Sequence, residues 1–335
     1  MADADVDIII TDRSRNSVRI CEKVKEIHLF DKVYYHSFKE PKSGRASTLE
    51  RIYYVYGGTF GNRKYRLTKD AYYDEICCFN FDLHAHFVYE YCARINKDIR
   101  CSKYEEGFIS YASGEDTYGV ISLIYTIRRL LRKSNMRERI EKFYCFNPNA
   151  YKGVFEPIAI PRISEKDRKI KQILFDVFLK GNPRQEYSAK YIYLPCIYDI
   201  EGGEPIGELS LAIKVAELVG RENLIVKVHP RDNPDKYKEQ GLRVAVDSAS
   251  PWEAVQINGD FSQKVLLSTV SGSLLTTNVL FAEPPKSHYL YNLCDLEHNP
   301  LATYYSNVIR DYVISSEELG LKNITECESL EEILN

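Results

Sequence analysis

The chain has 335 residues, a formal net charge of -3 and 44% apolar residues. That length is too great for one comfortable core and suits two domains of roughly 150 residues each. A near-neutral balance asks for no nucleic acid, and no run approaches the roughly 18 apolar residues of a membrane span. The opening "MADADVDIIITDRS" has no basic stretch followed by an apolar one, so no secretory leader is expected. Nine cysteines stand without paired CxxC spacing and are read as reduced thiols of a cytoplasmic protein. The 26 tyrosines suit surfaces that are part apolar and part hydrogen-bonding, such as sugar sites, and also ordinary strands.

In chain order, "VDIIIT" (6–11), "KVYYHS" (32–37), "RIYYVYGG" (51–58) and "EICCFN" (75–80) are predicted strands. A helical pattern follows at "HAHFVYEYCARIN", then a long amphipathic helix at about 117–133. "EPIAIPRISEKDRKIKQ" (156–172), with its prolines and dense charge, is expected to be a linker. Beyond it "KYIYLPCIY" predicts a strand, "PIGELSLAIKVAELVG" a helix ending at Gly220, and "NLIVKVHP", "LRVAVDS" and "KVLLSTVSG" three more strands. Strands alternating with helices at this spacing imply βαβ units and a parallel sheet. Ligands collect outside the carboxyl ends of such strands, at the switch point. The expected fold is therefore α/β, with two Rossmann-like doubly wound domains facing across a cleft, residues 1–160 and 161–335.

Three constellations fall at predicted strand ends. In "NLIVKVHPRDN" a strand continuing through Lys227, His229 and Arg231 would set all three on one side, a cationic shelf suited to a phosphate; the plainer reading is a solvated strand end stopped by Pro230. "KVLLSTVSGSLLTTN" runs from strand to helix through Ser271, Gly272 and Ser273, where unpaired amides and the helix dipole would accept a phosphate, or where serine simply caps the helix. "SKYEEGFISY" carries Glu105 and Glu106, of which one should face the cleft and could take a proton from a substrate hydroxyl; solvated turn carboxylates are the ordinary alternative. No Walker lysine or GxGxxG pattern is present.

The order acidic-acidic-Gly, then His-Pro, then a Ser/Thr-rich turn, with "SPWEAV" (250–255) between the last two, resembles the bacterial sialyltransferases with two Rossmann-like lobes, glycosyltransferase family 52 and the capsular polysialyltransferase group. The likeness spans about half the chain. It implies Glu106 as general base with Glu105 as the fallback, and His229 as partner of the CMP phosphate, with Lys227 beside it and Pro230 fixing the strand exit. It also implies Glu253, next to Trp252, on the ribose hydroxyls, and Ser271 and Ser273 on the phosphate. The sequence departs from the family at the adjacent hydroxyl pair: the turn reads Ser-Gly-Ser, and the adjacent pair Ser268-Thr269 comes earlier.

The implied activity is inverting, metal-independent transfer of sialic acid from CMP-sialic acid to a glycan hydroxyl, in capsule or lipooligosaccharide synthesis. No cofactor and no metal are expected. Residues 1–160 would take the acceptor and 161–335 the CMP donor. Rival readings are a transferase using CMP-Kdo or a UDP-sugar, a sugar-nucleotide epimerase, and a catalytically silent nucleotide-binding capsule-assembly protein. "RRLLRKSNMRERIEK" (128–142), with seven basic and two acidic residues, is a solvated helix face or a docking surface for the anionic inner leaflet, where a lipid-carried acceptor would reside.

Overall fold

Every strand pair among the described residues is parallel. The computed structural model describes residues 5–11, 16–36, 72–79, 83–111, 126, 129–130, 135–164, 166–179, 181–198, 204–247, 249–318 and 323–334. The strand expected at 51–58 and most of the helix expected at 117–133 lie outside them. Two compact units emerge, Met1–Glu106 with Ser113–Ile160 and Gly107–Ala112 with Pro161–Asn335. The α/β class with parallel sheets is the architecture the alternating pattern predicts. No helix among the described residues is long and apolar enough to cross a membrane.

In the first unit, β1 (Asp7–Thr11) pairs with β2 (Lys32–His36) across α1 (Ser17–Glu26). A second sheet has the order β3-β4-β5-β6, built from β3 (Glu75–Cys78), β4 (Arg100–Tyr104), β5 (Ile140–Cys145) and β6 (Glu156–Ala159), with α2 (Leu83–Ala93) between β3 and β4. The Tyr73 hydroxyl donates to Asp7 Oδ2 at 2.6 Å and ties the sheets together. Where a linker is expected at 156–172, the chain instead forms β6 and then α3 (Arg168–Phe178). Pro157 fits because, among the described residues, β6 is an edge strand that pairs with β5 alone. The charged residues 166–172 lead into that helix, whose Asp167 cap accepts from the Ile170 amide at 3.0 Å.

The second unit carries the order β11-β10-β9-β7-β8, from β7 (Tyr191–Tyr193), β8 (Leu224–Val226), β9 (Val265–Ser268), β10 (Lys286–Tyr289) and β11 (Ile324–Glu326). Its connecting helices are α4 (Glu208–Val219), α5 (Trp252–Asn258), α6 (Gly272–Leu280) and α7 (Pro300–Glu318). The α4 sequence buries Leu211, Ala212, Val215, Ala216 and Val219, a single face at helical spacing, against the sheet core. Gly207 at φ 82° and Gly220 at φ 87° bound that helix, a backbone region open to glycine. From β7 the chain steps one way to β8, then returns to β9 on the other side and continues to β10 and β11. The reversal makes this sheet doubly wound, with its switch point between β7 and β9.

Two predicted strands are shorter than their apolar runs. "NLIVKVHP" is strand only to Val226, and "LRVAVDS" contributes a single bridge, Val244 to Val226. Past Val226 the backbone turns, with the Asp232 amide donating to the His229 carbonyl at 2.9 Å. The one-sided shelf of Lys227, His229 and Arg231 therefore does not form: Lys227 is buried, His229 half-buried and Arg231 exposed.

Candidate functional site

At a switch point the loops leaving two neighbouring strands part in opposite directions and open a crevice. Here those loops leave β7 at Leu194 and β9 at Thr269. The β9 loop runs Ser268-Thr269-Val270-Ser271 into α6. Ser271 is the N-cap, its hydroxyl accepting from the Ser273 amide at 3.3 Å. Ser268 and Thr269 are 0% exposed and face inward. The Ser268 hydroxyl donates to the Leu194 carbonyl at 2.6 Å and accepts from the Ser271 amide at 3.2 Å. Ser271, Gly272 and Ser273 keep partial exposure. Among the described residues none accepts from the Gly272 N–H, the first amide of the helix. Arg162 fixes the far end of α6, donating to the Asn278 carbonyl at 2.6 Å and the Val279 carbonyl at 2.9 Å.

His229 follows β8, with β7 between it and the serine turn. Strand spacing makes that separation roughly 10 Å of sheet. His229 Nδ1 accepts from the Arg231 amide at 3.2 Å. A neutral ring that accepts at Nδ1 carries its proton on Nε2, so His229 presents a donor there. Pro230 is exposed. Lys227 is buried, and burial holds its ammonium below the usual lysine range against the opposing pull of Asp247, Glu253 and Glu186.

Glu253 sits in the first turn of α5, where an acidic group complements the helix dipole. Enclosure by protein atoms pushes its carboxyl up, opposed by its own backbone amide and by Lys227. Part of its surface stays open to solvent, which limits that push. Trp252 is 4% exposed, its indole N–H donating to Thr277 Oγ1 at 3.1 Å and its ring edge-on to Tyr187 and Phe261. It packs α5 against α6 from within the core and offers no face for a base to stack on.

In the first unit the acidic motif follows the end of β4 at Tyr104. Glu105 Oε2 accepts from the Phe146 amide at 3.0 Å while its own amide donates to the Tyr144 carbonyl at 3.0 Å. Glu106 is exposed. Gly107, at φ 154°, begins the six residues that belong to the second unit, where the turn Phe108–Tyr111 follows and Tyr111 packs edge-on to Tyr312 of α7.

The sequence reading passed over two groups at the switch point. Glu208, the first residue of α4, is 1% exposed and receives the Tyr193 hydroxyl on Oε1 at 2.7 Å. Its Oε2 receives the Thr269 hydroxyl at 2.5 Å and the Cys196 thiol at 2.8 Å. Burial, reinforced by this carboxylate, holds the Cys196 thiol and the Tyr193 hydroxyl well above their usual ranges. In sequence Glu208 looks like any acidic first-turn residue; the polar pairing of Tyr193, Cys196 and Thr269 in otherwise apolar strand ends is the signal that could have exposed it. The second group is Tyr289 of β10, buried, whose hydroxyl donates to the Ser271 carbonyl at 2.9 Å. Elsewhere Asp295, Glu297 and His298 lie within ligating reach of one another on the exposed loop after β10.

No family model matches the chain, and no curated protein does. The chain is similar in structure to S. aureus MnaA in its UDP complex (12% identity, TM-score 0.41, covering 97% of this chain and 93% of that one). It is also similar to an alpha/beta-galactoside alpha-2,3-sialyltransferase from the luminous marine bacterium Photobacterium phosphoreum (7% identity, TM-score 0.46, 97% and 98% covered). A third is a glycosyltransferase from Rickettsia africae ESF-5 (10% identity, TM-score 0.38, 98% of each chain covered).

Proposed function

We propose that the chain is an inverting glycosyltransferase that moves sialic acid from CMP-sialic acid to a hydroxyl of a glycan acceptor. The observation that carries this reading is the half-exposed Ser271-Gly272-Ser273 turn opening a nine-residue helix beside the switch point of a doubly wound sheet. Its support includes the order of motifs along the sequence, which also supplies Glu253 for the ribose hydroxyls.

In the reaction the acceptor oxygen attacks the anomeric carbon as the bond from that carbon to the phosphate oxygen breaks. The acceptor proton passes to Glu106, which is exposed just past the end of β4. The Nε2–H of His229 and the first amides of α6 meet the charge that develops on the departing CMP phosphate. The reading takes these N–H donors, with no metal, as the groups that meet that charge, so activity is metal-independent. All nine cysteines are free thiols, seven of them buried, in keeping with a cytoplasmic, reducing setting. Docking to the inner leaflet through residues 128–142 belongs to the same reading and is tested by flotation with anionic liposomes.

The deciding experiment incubates the protein with CMP-sialic acid and a panel of galactosides, sialosides and water, following CMP release and product mass. Acceptor-dependent release that survives chelator is expected. Release from CMP-Kdo or a UDP-sugar in its place would move the donor assignment, and no release from any donor would remove the enzyme reading.

A further inference from the structure

Three tyrosine rings gather on one side of the serine turn. Tyr198, on the loop leaving β7, stacks on Tyr305 of α7 with centroids 5.3 Å apart and planes at 23°, and Tyr304 meets Tyr305 edge-on at 5.2 Å. Asn299, 0% exposed, ties the two segments together. Its side-chain amide donates to the Tyr198 carbonyl at 3.1 Å and the Glu204 carbonyl at 2.9 Å, while its Oδ1 accepts from the Ala302 amide at 3.0 Å. The rings are thus fixed, yet Tyr304 is 51% exposed and Tyr198 and Tyr305 keep part of their surface open. Aromatic surface held rigid and left in water forgoes the gain of burial, which a ligand laid on it would recover.

The cluster adjoins the serine turn. Tyr289 bonds the Ser271 carbonyl, and its hydroxyl is held well above the usual range by burial first, against the Leu275 backbone, with Tyr291, Tyr198 and Tyr312 adding to the push. An interaction of that kind needs the Tyr198 hydroxyl close by. Glu253 lies on the other side: Lys227, one residue past the end of β8, is near enough for that carboxylate to oppose the effect of burial on its ammonium. Across the carboxyl ends of the sheet the order is therefore Glu253 beside β8, the serine turn after β9, and the tyrosines at the start of α7 after β10. A nucleotide with its ribose on Glu253 and its phosphate at Ser271 has one group left to extend past the turn, the sugar bonded to the phosphate. A pyranose ring carries C–H bonds on its faces and hydroxyls round its rim, and a flat ring with a phenolic oxygen meets both. We propose that Tyr198, Tyr304 and Tyr305 form a platform for the transferred sugar of the donor, against which a C–H face of its pyranose ring lies. The proposal rests on the CMP-sugar reading and deepens it, giving residues to the part of the donor that the motifs leave unassigned.

The test is calorimetric binding to the full chain of CMP and of CMP-sialic acid fluorinated at the carbon beside the anomeric centre, where fluorine slows departure of the phosphate. Wild type is expected to bind the fluorinated donor about tenfold more tightly than CMP, the step that the sugar supplies. In Tyr198→Ala and Tyr304→Ala that step is expected to shrink to about threefold or less while CMP affinity changes by under about threefold. Tyr198→Phe and Tyr304→Phe keep the ring and are expected to keep the step. A cluster that merely props up the loops would weaken CMP and the fluorinated donor in parallel, which overturns the proposal. So does a step that survives both Ala changes, or one lost as fully with Phe as with Ala. Should the Ala variants not fold, saturation-transfer NMR on wild type decides: transfer to the pyranose C–H protons is expected, and transfer confined to the cytidine protons overturns the platform. If wild type binds CMP but gains nothing from the sugar, the platform fails and the nucleotide reading stands; if it binds neither, the nucleotide reading itself fails.

Discussion

The ends of β4 and β9 each carry a doublet or cluster of one chemical type, and each divides it the same way. At β4, Glu105 turns back to accept the Phe146 amide while its neighbour Glu106 is exposed. At β9, Ser268 and Thr269 are buried and spend their hydroxyls on Leu194 and Glu208, while Ser271, Gly272 and Ser273 stay partly open at the helix start. A strand end can satisfy its own backbone only by committing some polar side chains inward. The members left outward are the ones available to a ligand, and the inward ones decide where the outward ones stand.

The sharpest way to break the comparison is at β4. Glu106→Gln is expected to lower turnover by about 10²–10⁴-fold with CMP binding retained, the range for losing a general base. Glu105→Gln, which keeps an acceptor for the Phe146 amide but not its charge, is expected to cost about 1 kcal/mol of stability and less than about tenfold in turnover. Steady-state kinetics on both variants would decide it, and the reverse ranking would exchange their roles.

The comparison holds only while β10 keeps Tyr289 under Ser271, and His288, next to it on that strand, sets its acid limit. His288 is 4% exposed, its Nδ1 meets Thr325 Oγ1, and its Nε2 finds no hydrogen-bond partner among the described residues. Burial first and Lys286 second lower its pKa from 6.5 to about 4, with Glu332 opposing. The neutral ring is thus favoured by folding: its contribution is complete above the unfolded value near 6.5 and is lost as pH falls toward 4, about 3 kcal/mol in all. Urea unfolding followed by Trp252, the one tryptophan, should show that decline between pH 6.5 and 4 in wild type and a flatter profile in His288→Gln. Equal profiles would remove His288 as the cause.

Much of this was legible in the sequence, for identifiable reasons. The alternation of apolar runs and helical faces gave the parallel strands and α4 with its end at Gly220, because those signals are local. The serine turn was visible because small hydroxylated residues between a strand and a helix have few other uses. Periodicity failed where tertiary context took over. The β8 run has β-branched residues out to Val228, yet the strand ends at Val226 and the turn after it separates Lys227, His229 and Arg231. Trp252 stands beside Glu253 in sequence but about 100° around the helix, in the core, and only packing against Tyr187, Phe261 and Thr277 reveals it. The Glu208 network joins positions up to 76 residues apart in sequence (193 to 269), beyond the reach of any local pattern.

The finest cut compares the two serines of the β9 turn. In Ser268→Ala the Ser271 amide loses its acceptor and the Leu194 carbonyl its donor in a fully buried place, so about 1–3 kcal/mol of stability should go, seen as a lower urea midpoint by Trp252 fluorescence. Ser271→Ala removes a helix cap at a site that water can reach, and should cost only about 1 kcal/mol. Its effect on CMP should run the other way round, about tenfold weaker binding in calorimetry for Ser271→Ala, the size of one lost hydrogen bond to a charged group. Ser268→Ala should leave CMP affinity within about threefold once the protein is folded. A Ser268 variant that keeps its stability but loses CMP would mean that the buried hydroxyls, not the exposed ones, face the nucleotide, and the division drawn between inward and outward members at this strand end would be reversed.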